Sequence, residues 1–329
     1  MSVARTDEIR DALEQALGSG KIASLEQRPC AYRTSYELDE LDVVLADGTA
    51  LSLILKSLDR GSLDPAARRA KPEFLHDPLR EIEVYRSLLH PARLGTPRFH
   101  GAVVEPERDR YWLAIENVRG EVLWQVGELE VWREAARWLA VLHERFRERD
   151  LGAAGPHLLR YDAGFYRSWM ERAIGFADAD RRARLAWLAD RYEAVVAGLA
   201  AQPSTFLHGE FYASNVLIQR DTAAEAAPLR VCPIDWENAA VGPGVIDLAA
   251  LTTGGWSRSE RDEIARGYLD ETAALGTPAD EGALLEALEL ARLHLAVQWL
   301  GWEPTWLPPE EHRHDWLGEA LEIAGSLGL

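Results

Sequence analysis

Asn215 and Asp235 are the residues from which chemistry can be argued first. Asn215 stands immediately before the apolar run Val216-Leu217-Ile218, and Asp235 immediately after Val231-Cys232-Pro233-Ile234. Two short β-like runs joined by a polar, Ala-rich loop make an antiparallel hairpin, in which the residue before the first strand lies beside the residue after the second. A carboxamide oxygen and a carboxylate are therefore expected to converge at one end of the hairpin. Hard oxygen donors of this kind suit Mg²⁺, which commonly keeps nucleotide phosphates and waters as the rest of its shell. The plain alternative is a pair of turn residues. Glu210 precedes Asn215 by five residues, a carboxylate placed to orient an attacking hydroxyl and accept its proton. Lys56 lies within Leu51-Ser52-Leu53-Ile54-Leu55-Lys56-Ser57-Leu58, an apolar strand in which a cation needs a partner.

The elements that must position these residues fall into two groups. Residues 5–17 have the spacing of a short amphipathic helix closed by Gly18, and 22–26, 35–45 and 50–58 read as strands, the last two joined by Ala46-Asp47-Gly48-Thr49. Asp77-Pro78 opens a helix through residue 89 with Ile82, Tyr85, Leu88 and Leu89 on one stripe, and strands follow at 97–104 and 111–115. After about Arg119 the pattern becomes helical, over 128–149, 162–175, 181–200, 257–275, 281–301 and 310–326, with a capping box from Ser257 and Glu260. His294 inside the fifth of these helices is expected to be a packing residue. The predicted class is α+β: a small lobe of β-sheet plus helix over 1–118 and a larger, mainly helical lobe over 119–329, with the hairpin embedded at their junction.

The run Leu207-His208-Gly209-Glu210-Phe211-Tyr212-Ala213-Ser214-Asn215 resembles the catalytic loop of the aminoglycoside phosphotransferase and choline kinase family, usually His-Gly-Asp followed by four residues and Asn. Further on, Ile234-Asp235-Trp236-Glu237 and Gly242-Pro243-Gly244-Val245-Ile246-Asp247-Leu248-Ala249 resemble that family's metal-binding segment and the Asp-Leu-Ala motif after it. The resemblance implies a protein-kinase-like bilobal fold and an enzyme that transfers phosphate from ATP or GTP, with Mg²⁺, to a hydroxyl of a small molecule. It implies that Asn215 and Asp235 ligate Mg²⁺, that Asp247 braces the catalytic loop through its backbone, and that His208 orients the loop. It also implies that Lys56 holds phosphates and pairs with a helix Glu, best matched by Glu81 with Glu83 as runner-up. The Glu116 carbonyl and the Val118 amide are the implied adenine partners. Two departures stand out. Glu210 replaces the usual Asp, leaving open a catalytic carboxylate in an adjusted pocket, a slow kinase, or a nucleotide-binding pseudokinase with regulatory function. Residues 27–36 contain no Gly, so Ser35 or nearby amides would have to cover the phosphates, with Arg28 and Arg33 read as surface charges.

Composition excludes several other classes. The net charge is −18, against binding to nucleic acid, which depends on clustered Lys and Arg. From Asp150 onward there are 28 acidic residues against 14 Arg and no Lys, a net of −14, which could steer a cationic ligand or only confer solubility. No apolar run approaches a membrane span and no export signal opens the sequence, so a cytoplasmic protein is expected, with Cys30 and Cys232 as reduced thiols. The acceptor is expected against the C-terminal helices, where Trp299, Trp302, Glu303, Trp306, Glu310, Glu311, Asp315 and Trp316 combine rings and acids suited to a cationic small molecule.

Overall fold

The computed structural model describes residues 3–18, 21–30, 35–220, 229–302 and 314–329. The chain divides into two compact units, Met1–Gly120 with Gly152–His157, and Glu121–Leu151 with Leu158–Leu329.

The first unit begins with helix α1 (Val3–Leu17) and strands β1 (Ile22–Pro29), β2 (Leu38–Leu45) and β3 (Ala50–Ser57). Helix α2 (Pro65–Ala70), helix α3 (Arg80–Glu83) with a π-helical continuation over Val84–Leu89, and the last turn α4 (His90–Ala92) come next, then β4 (Phe99–Glu105) and β5 (Arg110–Glu116). The strands form one antiparallel sheet in the order β1-β2-β3-β5-β4. Alternation decides which side of it is buried. Leu41 and Val43 of β2, Leu53 and Leu55 of β3 and Trp112 of β5 point to one face, where Ile9 and Leu13 of α1 complete the core. Gly48 closes the β2–β3 turn at φ +88°, a conformation that favours glycine. Several expected bounds shift: β2, expected from 35, begins at Leu38, and β4, expected from 97, begins at Phe99. Strand β1 runs three residues beyond 26, and the helix expected from 77 begins at Arg80, because Asp77 spends its carboxylate on the Leu79 amide in a turn. Arg33 and the rest of 31–34 lie outside the described residues.

The second unit contains β6 (Glu121–Val122), α5 (Leu129–Phe146), β7 (Leu159–Arg160), α6 (Ala163–Phe176), α7 (Ala179–Ala200), β8 (Ser204–Leu207), β9 (Val216–Gln219), β10 (Arg230–Pro233), β11 (Ala240–Pro243), α8 (Val245–Leu251), α9 (Arg258–Ala274), α10 (Glu281–Leu300) and α11 (Trp316–Ser326). The expected hairpin is β9–β10, with β6 on its other edge, and β11 lies between β7 and β8 in a second small sheet. Ser257 and Glu260 form the expected capping box of α9. The strands that sequence reasoning missed, β6, β7, β8 and β11, are two to four residues long, too short for alternation to register. Glu303, Trp306, Glu310 and Glu311 lie outside the described residues. Among those described, no helix is long and apolar enough to cross a membrane, and Cys30 and Cys232 are both buried.

His294 is fully buried on α10, its Nδ1 2.7 Å from the Tyr192 hydroxyl, and burial lowers its pKa from 6.5 to about 3. Below pH 6.5 the unfolded chain binds a proton that the native chain refuses, so stability falls as pH drops from 6.5 toward 3. The slope from this group is at most about 1.4 kcal/mol per pH unit. Urea titrations at pH 7 and pH 5 are expected to show a smaller acid loss in His294→Phe than in the native protein.

Candidate active site

Strand β8 ends at Leu207, and the chain then enters the loop that carries Glu210. What holds this loop is Asp247, fully buried in the first turn of α8. Its Oδ2 accepts from the His208 amide at 2.7 Å and its Oδ1 from the Gly209 amide at 2.9 Å, so one carboxylate satisfies two successive backbone donors. Bonds of this charge-assisted kind are about twice as strong as neutral ones. Behind Asp247 stands His143 of α5, with Nε2 3.4 Å from Oδ2 and Nδ1 3.0 Å from the Tyr268 hydroxyl of α9. A second support comes from Tyr161, whose buried hydroxyl donates to the Gly209 carbonyl at 3.3 Å. Burial, with the charges of Asp247 and Glu210 nearby, pushes the pKa of that hydroxyl well up, so it stays a donor.

Gly209 is required here for two reasons. Its φ is +86°, and a Cβ would lie 2.1 Å from the Asn238 carbonyl oxygen, closer than any real contact. Gly209→Ala is therefore expected to destabilise the second unit by at least about 2 kcal/mol, from backbone strain plus displacement of the strand-linking segment. Urea denaturation followed by tryptophan fluorescence would measure it.

The loop then orders its own side chains. The Glu210 amide donates to His208 Nδ1 at 3.3 Å, so Nδ1 accepts, and Nε2 carries the proton and donates to the Ile234 carbonyl with Nε2 2.9 Å from the oxygen. His208 is thus buried as a tie between the loop and the segment after β10, the loop-orienting role expected of it. The Glu210 carbonyl accepts from the Tyr212 amide at 2.7 Å and from Asn215 Nδ2 at 3.0 Å. That last bond uses the donor end of the carboxamide and turns its oxygen end the other way.

Asn215 and Asp235 do stand at one end of the hairpin, with a one-residue offset from the simplest expectation. Val216 pairs with Pro233, so Asn215 lies opposite Ile234, whose amide donates to the Asn215 carbonyl at 2.9 Å. Asp235 comes one residue later with φ +64°, leaving the ladder in a left-handed kink. Glu210, Asn215 and Asp235 are each half-buried, as are their neighbours Ser214, Ile234 and Glu237. Among the described residues no group of three or more His, Cys, Asp and Glu could hold a metal ion. The donors here are one carboxamide and one carboxylate oxygen, a set that fits a hard cation completing its shell with water and phosphate oxygens.

In the first unit, Lys56 and Glu81 meet. Lys56 Nζ lies 2.7 Å from Glu81 Oε2, with side chains 8% and 2% exposed. Glu83, the other candidate, faces away and pairs with Arg86 and Ser87. The turn of α3 that presents Glu81 is anchored by buried Arg80, whose Nε donates to the His157 carbonyl at 2.7 Å and whose NH1 donates to the Leu75 carbonyl at 2.9 Å. Glu116 ends β5 opposite Leu53 of β3, three residues from Lys56. Its amide donates to the Arg98 carbonyl at 2.8 Å and its carboxylate accepts from the Arg98 amide at 3.0 Å. The Asn117 amide donates to Ser52, and Val118 follows beyond the strand.

The aromatic residues expected near the acceptor are partly placed. Trp299 stacks on Trp316 with ring centres 5.4 Å apart and planes 7° apart, and its indole N–H donates to the hydroxyl of Tyr212, two residues after Glu210. Trp302 packs on Trp169, and Asp315 caps α11 by accepting from the Gly318 amide at 3.0 Å. Sequence reasoning missed His143, Tyr161, Asn238 and Tyr268. His143 sits on an apolar helical stripe and reads as core, and the others have no local pattern that could have marked them.

Three solved structures resemble the chain throughout. A choline kinase from Cryptosporidium parvum Iowa II is 13% identical, with TM-score 0.59 over 98% of this chain and 94% of its own. A putative aminoglycoside phosphotransferase from Ralstonia eutropha JMP134 is 14% identical, with TM-score 0.59 over 98% and 95%. A spectinomycin phosphotransferase solved with ADP and spectinomycin is 14% identical, with TM-score 0.52 over 98% of each chain. At these identities the likeness establishes the kinase-like α+β fold. No curated protein sequence matches the chain. The sequence profile of the phosphotransferase enzyme family matches residues 42–285, a stretch that includes Lys56, Glu210 and Asp247, and the chain belongs to that family.

Proposed function

We propose that this enzyme transfers the terminal phosphate of ATP, or of GTP, to a hydroxyl of a small molecule, with residues 1–118 binding the nucleotide and residues 119–329 carrying the catalytic loop, the metal ligands and the acceptor. Glu210 orients the acceptor hydroxyl and takes its proton as the oxygen attacks. Asn215 and Asp235 would hold Mg²⁺, which supplies neutralisation of phosphate charge when bound. Lys56, kept in place by Glu81, holds the non-transferred phosphates, and the Glu116 carbonyl and Val118 amide receive the adenine edge. The observation that carries this reading is the loop held by Asp247 through two amides, which fixes the Glu210 backbone beside Asn215 at the hairpin end.

The acceptor we infer is an amino alcohol or amino sugar. Support comes from the acidic balance after Asp150 and from the half-exposed Trp299–Trp316 stack next to Tyr212, which together suit a cation over aromatic faces. The names of the similar structures, a choline kinase and a spectinomycin phosphotransferase solved with ADP, point the same way. The low cysteine content, Cys30 and Cys232 alone, agrees with a cytoplasmic location.

The test is a thermal-shift screen with Mg-ATP and Mg-GTP, followed by phosphate-transfer assays on amino sugars, amino alcohols and nucleosides. Nucleotide-dependent stabilisation with transfer to at least one acceptor is expected. Stabilisation without transfer to any would support the second reading, a nucleotide-binding regulatory module, which the longer side chain of Glu210 specifically favours.

A further inference from the structure

Among the buried side-chain atoms of the second unit that have no hydrogen-bond partner among the described residues are the Tyr166 hydroxyl, His294 Nε2 and Gln298 Oε1. All three residues are buried, Tyr166 and His294 completely. They also belong together. His294 and Gln298 stand one turn apart on α10 and so share a face, and α6, which carries Tyr166, packs against α10. The Tyr166 and His294 rings meet edge to face with centres 4.7 Å apart. His294 cannot turn to satisfy Nε2, because Nδ1 is engaged with the Tyr192 hydroxyl at 2.7 Å.

Buried polar groups in native proteins are paired with protein or with water, and an internal water typically serves about three otherwise unsatisfied groups. The chemistry of these three atoms narrows the guest. Gln298 Oε1 only accepts, Tyr166 can donate, and His294 Nε2 donates or accepts according to whether Tyr192 donates to Nδ1. A guest must therefore both donate and accept. A hydroxyl does both, while an ammonium only donates and a carboxylate only accepts.

We propose that Tyr166, His294 and Gln298 form a closed binding site for a small hydroxylic guest, occupied by water and open to a short alcohol in its place. The site lies behind the catalytic loop. Tyr161, which donates to the Gly209 carbonyl, touches both Tyr166 and His294 with ring centres 6.1 Å away. A filled site supports the ring that holds Gly209, and it does so whatever the acceptor of the enzyme is.

The test has two arms. In thermal unfolding, Tyr166→Phe and Gln298→Leu are each expected to lower the midpoint by about 2–4 °C, the range for a modest loss in a chain of this size, and the double variant by less than the sum, since the guest is already lost. Midpoints that stay or rise would mean that real orphans had been removed, and would overturn the site. In the second arm, a high-resolution crystal structure grown without alcohols is expected to show one ordered oxygen within hydrogen-bonding distance of all three atoms, which identifies water. Density that appears only after soaking in ethanol identifies an alcohol as the guest, and no density under either condition overturns the proposal even if a variant fails to fold.

Discussion

Glu210→Ala is expected to lower phosphate transfer by about 10²–10⁴-fold, the usual contribution of a positioned general base, while leaving the dissociation constant of Mg-nucleotide unchanged within about twofold. The separation follows from the architecture of the loop. Glu210 contributes its backbone to the network, donating to His208 Nδ1 and accepting from Asn215 Nδ2 and Tyr212. Alanine keeps those backbone bonds, so His208, Tyr212 and Asn215 stay where they are and the side-chain carboxylate is lost. Glu210→Asp sharpens the test. Removing one methylene withdraws the carboxylate by roughly 1 to 1.5 Å, and misplacement on that scale costs on the order of a hundredfold in rate. If the pocket is adjusted to glutamate, aspartate is slower than the native residue. A faster Asp variant would identify a kinase slowed by its own loop, and an unchanged Ala variant would remove Glu210 from the reaction. Transfer rates and nucleotide binding, measured on the same preparations, decide among these outcomes.

Lys56→Met is expected to destabilise the first unit by about 3–5 kcal/mol, the range for breaking a buried ion pair by deleting one partner. Lys56 and Glu81 are buried at a 2.7 Å separation, so the methionine removes the counter-charge of a buried carboxylate. The loss belongs mainly to the stranded group. Lys56→Met combined with Glu81→Leu, which removes both charges, is therefore expected to recover most of the stability. Chemical denaturation of the two single variants and the double variant gives the comparison. The same double variant is expected to bind nucleotide far more weakly than the native protein despite its recovered stability, which separates the proposed phosphate-holding role of Lys56 from its structural one. Normal nucleotide affinity in the double variant would take Lys56 out of the site.

The contrast between Glu81 and Glu83 shows where sequence reasoning stops. Both fit the spacing before Leu88. Successive residues on a helix are separated by about 100° of rotation, so residues 81 and 83 present different faces, and which face meets β3 depends on how the helix is rolled against the sheet. That roll comes from Arg80, buried and tied to carbonyls of Leu75 and His157, the latter from a segment more than seventy residues away. The offset at the hairpin end has a similar origin. The strand pattern located both Asn215 and Asp235, yet the ladder ends with Val216 opposite Pro233, the residue bonded to Asn215 beyond it is Ile234, and the left-handed φ of Asp235 takes it out of register.

From residue types and spacing alone came the elements that have a strong local period: the alternating strands of the first unit, the long amphipathic helices of the second, the hairpin at 216–218 and 231–234, and the capping box before α9. The same local reading marked Lys56 as a cation needing a partner and Glu210, Asn215 and Asp235 as oxygen-bearing groups gathered by one turn. Tertiary structure alone decided which glutamate meets Lys56, that His143 and Tyr268 stand behind Asp247, that Tyr161 reaches the Gly209 carbonyl, and that the polar atoms of Tyr166, His294 and Gln298 are buried without a protein partner. The division has a physical cause. Periodicity and turn chemistry are properties of neighbouring residues and are written along the chain, whereas a buried polar group is satisfied by whatever the packing of distant helices brings to it, and that leaves no pattern in the local sequence.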